Sequence, residues 1–196
     1  MFLVIEGDNG TGKDTLAQGL EKYGFKILTY DKRLKEFEKV ARQGTGEEKT
    51  KRFLAYGKAC SDFVSESKKK GENVILIRYW ISTLAAAYAD GVYDYEKISD
   101  IIDTIYPKLE KPDMLLRLNC NFKERVHRIQ NRKSANFDDV TKTRAEKYEW
   151  ISSKIKAKTD FKWNEIDTSN KSIEEVCQEA LEAIRINKGT LGGDER

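Results

Sequence analysis

Short apolar runs alternate with amphipathic stretches along most of the chain. FLVI (2–5), FKILTY (25–30), NVILIR (73–78), DMLLRLN (113–119) and KWNEI (162–166) predict strands. NVILIR lacks polar alternation, as expected of a parallel strand covered on both faces. Between these runs the apolar spacing changes to three and four. That spacing predicts a helix over Lys13–Tyr23 closed by Gly24, and another over 47–70 with Phe53, Tyr56, Cys60 and Phe63 on one face, stopped by Gly71. Two helices follow over 79–90 and 94–106, then one from an Asn121 cap through Arg132. A further helix spans 138–158, carried by Val140, Tyr148, Ile151 and Ile155, and a last one turns Ile173, Val176, Ala180, Leu181 and Ile184 inward. Residues 189–196 carry no pattern and read as a tail, which leaves a single domain over 1–188. Strand and helix in alternation predict an α/β fold with a parallel sheet and right-handed crossovers, its ligands beyond the carboxyl ends of the strands.

Composition changes this picture little. Among 196 residues, 36 Lys and Arg against 33 Asp and Glu leave a formal charge of +3, too balanced for a dedicated nucleic-acid or membrane-surface protein. Neither partner is expected. Cys60, Cys120 and Cys177 fall in no metal spacing and read as thiols of a reducing compartment. The first apolar run is too short for a secretory leader, so the expected location is the cytoplasm.

The chemistry starts at the end of the first strand. EGDNGTGKDT (6–15) matches G-x-x-x-x-G-K-[ST] except at the last position, where Asp14 replaces the hydroxyl that meets magnesium. Gly7, Asp8, Asn9, Gly10, Thr11, Gly12 and Lys13 then form a phosphate cradle. Backbone N–H groups turn inward, the helix start adds its positive end, and the lysine ammonium bridges the outer phosphates. Thr15 retains a hydroxyl one position later, so Asp14 and Thr15 are the candidate metal ligands, with an outward-turned Asp14 as the alternative.

Beyond the loop, the chain resembles the thymidylate kinases, members of the nucleoside monophosphate kinase group. FLVIEGDNGTGKDT, RFLAYGK (52–58), IRYWISTLA (77–85) and KPDMLLRLNCNFKERVHRIQNR (111–132) carry the likeness in the family's order and spacing. It implies a three-layer P-loop kinase fold with a five-stranded parallel sheet and helices on both faces, ATP with Mg2+ as donor, dTMP as acceptor, and a homodimer. It also implies a lid over about 128–140, whose Arg128 and Arg132 supply the catalytic arginine that this loop lacks. Arg33, Phe53, Leu54, Lys58, Arg78 and Tyr79 stand where the family holds the acceptor. Here Lys58 replaces an arginine and Leu54 an aromatic residue, with Phe53 adjacent. Two carboxylates of the family are missing, at Asn9 and Ile77. Two other readings stay open: a deoxyribonucleoside kinase with Asp31 as general base, although Asp31 immediately precedes a helical stretch and reads first as its cap, and a nucleotide-binding protein without transferase activity.

Overall fold

The computed structural model describes residues 1–131 and 141–191. Within them the elements run β1 (Phe2–Glu6), α1 (Lys13–Glu21), β2 (Phe25–Ile27), α2 (Lys32–Arg42), α3 (Gly46–Lys69), β3 (Asn73–Ile77), α4 (Trp80–Ala89), α5 (Tyr95–Ile105), β4 (Met114–Asn119), α6 (Phe122–Gln130), α7 (Lys142–Ala157), β5 (Trp163–Asp167) and α8 (Ile173–Leu191). The five strands form one parallel sheet in the order β2-β3-β1-β4-β5.

Side chains leave a strand alternately to its two faces, and the core divides accordingly. Phe2, Val4, Val74, Leu76 and Leu115 pack under α3, α4, α5 and α7, whereas Leu3, Ile5, Ile75, Leu116 and Leu118 pack under α1 and α8. With helices on both faces the strands read as continuous apolar runs. β1 lies at the centre, and the chain moves from it to β3 and β2 on one side and to β4 and β5 on the other. The crevice at this reversal is the expected ligand position of an open α/β sheet, and the glycine loop occupies it.

Several predicted boundaries shift. FKILTY is extended only over Phe25–Ile27 and then turns tightly through Leu28–Tyr30. The sheet ends there because Ile77 N–H donates to the Thr29 hydroxyl at 2.8 Å, so a side chain takes the place of a ladder carbonyl. Asn121 caps α6 as its sequence position suggests, accepting from Glu124 N–H at 2.9 Å. The lid positions 132–140, the start of the 138–158 helix and most of the 189–196 tail lie outside the described residues, although α8 itself continues to Leu191. Among the described residues, no helix is long and apolar enough to cross a membrane.

Candidate active site

β1 delivers the loop and α1 closes it. Gly7 has φ 139°, and a Cβ there would lie 2.4 Å from the Leu118 carbonyl oxygen, so the loop crosses β4 at a distance only glycine permits. Gly12 precedes α1 without a side-chain cap, which leaves the N–H groups of the first helical turn directed at the loop. Lys13 is buried, and its Nζ donates to the Asp8 carbonyl at 2.7 Å, a carbonyl also reached by the Thr11 hydroxyl at 2.9 Å. Burial and the neighbouring Arg78 guanidinium push the lysine well below its ordinary pKa.

The loop is braced from α6 and α7. Arg125 is buried; its Nε donates to the Asn9 carbonyl at 3.0 Å and its Nη2 to the Asp8 carboxylate. Arg144, on α7, stands 3.7 Å from the other Asp8 oxygen and bonds Asp90 at the end of α4 at 2.7 Å. Asp8 therefore ties the loop to two helices. Across the crevice Arg78 adopts a left-handed conformation, φ 67°, and donates to the Asn9 amide oxygen at 2.7 Å. Such a backbone is uncommon in a residue other than glycine and collects at functional sites.

Besides a cavity of about 370 Å³ against Gly7, Asp8, Thr11 and Arg125, three cavities meet at this loop among the described residues. The largest, about 560 Å³, opens between α3, α4 and α7 and ends at Asp8, Asn9 and Arg78. A second of about 230 Å³ holds Lys13 and Asp14. The third, about 460 Å³, lies on the far side of the loop against Thr15, Arg128, Thr168 and Lys171. This arrangement separates two ligand volumes by a strip of loop with a lysine and an arginine at its edge.

The residues expected at the acceptor divide between these walls and the surface. Phe53, Arg78 and Tyr79 line the largest cavity. Arg33, Leu54 and Lys58 do not. Arg33 pairs with Asp31 and covers the Phe63 ring at 4.2 Å, Leu54 packs against the core, and Lys58 pairs with Asp62 one turn on. Helical geometry is the reason: Thr50, Phe53, Gly57 and Cys60 share the cavity-facing stripe of α3, and Leu54 and Lys58 are each rotated about 100° past it. Asp31 caps α2, accepting from Arg33 N–H at 2.9 Å. Asp14 and Thr15 face different cavities, and Asp14 accepts a bond from the Tyr30 hydroxyl at 3.3 Å. Arg128 faces the 460 Å³ cavity, donating to Thr168 O at 2.7 Å and to Glu124. Arg132 lies outside the described residues.

Sequence reasoning passed over Glu6, Glu38, Arg42, Arg144 and Tyr148. Glu6 left one signal, a carboxylate ending an otherwise apolar strand. Its Oε1 accepts from Tyr79 N–H at 2.8 Å, directly after the left-handed Arg78, while Oε2 is the one buried side-chain oxygen or nitrogen among the described residues without a partner. Burial raises its pKa above 4.5, against the pull of Arg78, the Tyr79 amide, Lys13 and Ser82. A raised folded-state pKa means that the stabilising contribution is complete below 4.5 and is lost as pH rises through the folded value. Glu6→Gln keeps the acceptor for Tyr79 and removes that titration. Denaturant unfolding from acidic to neutral pH should show the variant gaining stability relative to the natural protein as pH rises. A constant difference would exclude Glu6 as the titrating group.

A family model described as Thymidylate kinase matches residues 5–180. A probable thymidylate kinase of Methanocaldococcus jannaschii is 27% identical over 188 residues, covering 92% of this chain and 94% of the relative. A counterpart from Methanococcus maripaludis is 28% identical over 193 residues, covering 93% and 94%. Among solved structures, thymidylate kinase from Candida albicans superposes with a TM-score of 0.75 at 21% identity, over 95% of this chain and 92% of that one. Deoxyadenosine kinase from M. mycoides superposes with a TM-score of 0.66 at 19% identity, over 94% and 99%.

Proposed function

The chain belongs to the thymidylate kinase family, and from that premise we propose that it transfers the γ-phosphoryl group of ATP to a deoxynucleoside monophosphate, dTMP first. The observation that carries this reading is the division of space at the loop: Lys13 faces the smaller cavity, the larger one ends at Arg78, and Asn9 joins the two. In-line transfer needs such a meeting point, with cations around the moving group and little covalent help.

The loop fits a triphosphate, because uncapped N–H groups, a buried lysine and left-handed glycines converge there. ATP would lie along Gly10–Thr15, with its base toward Arg128 and Thr168. Mg2+ would be held from Asp14, the carboxylate on the Lys13 side, and would neutralise phosphate charge, whereas Thr15 faces the separate cavity beyond the loop. The acceptor would stack on Phe53 with its phosphate at Arg78. Homodimeric assembly and a cytoplasmic location belong to the same reading. The engagement of Asp31 with its own helix weighs against the deoxyribonucleoside kinase alternative, since that carboxylate already accepts three bonds from Arg33.

The test is turnover of ATP with each nucleoside and nucleoside monophosphate, in Mg2+ and in Mn2+. Diphosphate product from dTMP, with nucleosides inert, is the expected result. Products from nucleosides alone would replace the reading with the nucleoside kinase, and ATP binding without any product would replace it with a binding protein.

A further inference from the structure

The two cavities on the lysine side of the loop share a wall, and that wall carries a cation with no role in the scheme above. Asn9, Thr29, Glu38, Arg42, Ile77 and Arg78 line both. In-line transfer places the attacking oxygen and the γ-phosphorus where those cavities join, so the charged groups on the shared wall face the reacting atoms. Arg78 is one of them. Arg42 is the other.

Arg42 is poised by its own helix. Its Nε donates to Glu38 Oε1 at 3.1 Å and its Nη2 donates to the same oxygen. Lys35, Glu38 and Arg42 follow one another at three and four residues, and all three line the cavity that holds Lys13. The Glu38 carboxylate is also felt from the other side, where it helps raise the pKa of Tyr56 and Cys60, so it stands between cavities rather than over open solvent. The Arg42 guanidinium lies 6.0 Å from the centre of the Phe53 ring, within the acceptor space. Among the described residues the other arginines near the loop are committed elsewhere: Arg125 to Asp8 and the Asn9 carbonyl, Arg144 to Asp8 and Asp90, Arg128 to Thr168 and Glu124 across the loop.

We propose that Arg42 is the catalytic arginine of this chain, supplied from α2, and that Glu38 is the positioning residue that holds it. An oxygen of the acceptor's ionised phosphate forms a bond to the γ-phosphorus. The bond from that phosphorus to the β,γ-bridging oxygen breaks, its electron pair leaves with ADP, and no proton moves. Arg42 transfers from Glu38 to the equatorial oxygens and the bridging oxygen as charge develops there. Its side chain is 66% exposed, so this movement disturbs no packing.

This inference rests on the kinase reading, and the controls separate the two. With dTMP as acceptor, Arg42→Gln should lower kcat by about 10²–10³-fold and change KM for ATP and acceptor by less than about threefold. Guanidinium ion added to Arg42→Ala should restore part of the lost kcat, which a purely structural role would not permit. Glu38→Gln should lower kcat by about tenfold with an unchanged melting temperature. An active natural protein, a silent Lys13→Ala and an Arg42→Gln within about threefold of the natural kcat would overturn this inference alone. So would a rise confined to acceptor KM, or no response to guanidinium. A natural protein that transfers no phosphoryl group to any acceptor would overturn the kinase reading and this proposal together.

Discussion

Lys13→Ala should lower kcat for phosphoryl transfer by about 10³-fold or more while the protein stays folded. The fold survives because the lysine is a cost to the apoprotein, its charge buried beside Arg78 and its pKa well below 10.5. Nor does its removal strand the Asp8 carbonyl, which keeps the Thr11 hydroxyl at 2.9 Å. The same chemistry gives a second readout. Phosphate oxygens arriving at Nζ favour the charged lysine and lift its pKa, so binding ATP should take up protons at pH values between the lowered and the restored pKa. Calorimetry in buffers of different ionisation enthalpy measures that uptake, and Lys13→Ala should abolish it. A variant with the natural rate would remove the loop from the reaction.

Gly7→Ala should destabilise the protein by about 3 kcal/mol or more, lowering the melting temperature by about 6–12 °C, and should weaken ATP binding in proportion to the loop it displaces. The new Cβ would lie 2.4 Å from the Leu118 carbonyl oxygen and 2.9 Å from Thr11 Oγ1, at a φ of 139° that alanine resists. Backbone forms the first obstacle and cannot step aside as a flexible side chain would. Gly12→Ala is the control, because nothing lies within 4 Å of its Cβ and only the positive φ of 91° is strained. About 1 kcal/mol is expected there. Equal melting temperatures for the two variants would show that the approach of the loop to β4 is not what requires Gly7.

Much of the architecture is legible in the sequence. FLVI, NVILIR and DMLLRLN became the three central strands because burial on both faces leaves an uninterrupted apolar signature, and the glycine loop was recognised with its strand and helix in place. Asn121 and Asp31 cap helices as their positions indicated, since a cap depends on residues two or three apart. The acceptor wall was harder. On α3 a step of one residue rotates a side chain by about 100°, so of the expected Phe53, Leu54 and Lys58 only Phe53 stands on the cavity face, and Gly57 lines it in place of Lys58.

The sequence by itself determined the order of elements, the parallel sheet, and a phosphate loop at its central strand, because these follow from local periodicity and from glycines, caps and a lysine at fixed short spacings. Only the tertiary structure decided which charges surround the loop. Arg125, Arg144 and Arg78 reach Asp8 and Asn9 from positions 69 to 136 residues away, and Glu38 and Arg42 enter the shared wall only because α2 folds back over the crevice against α3. Contacts between distant segments are fixed by how helices pack on the sheet, and one chain's local pattern carries no record of that packing.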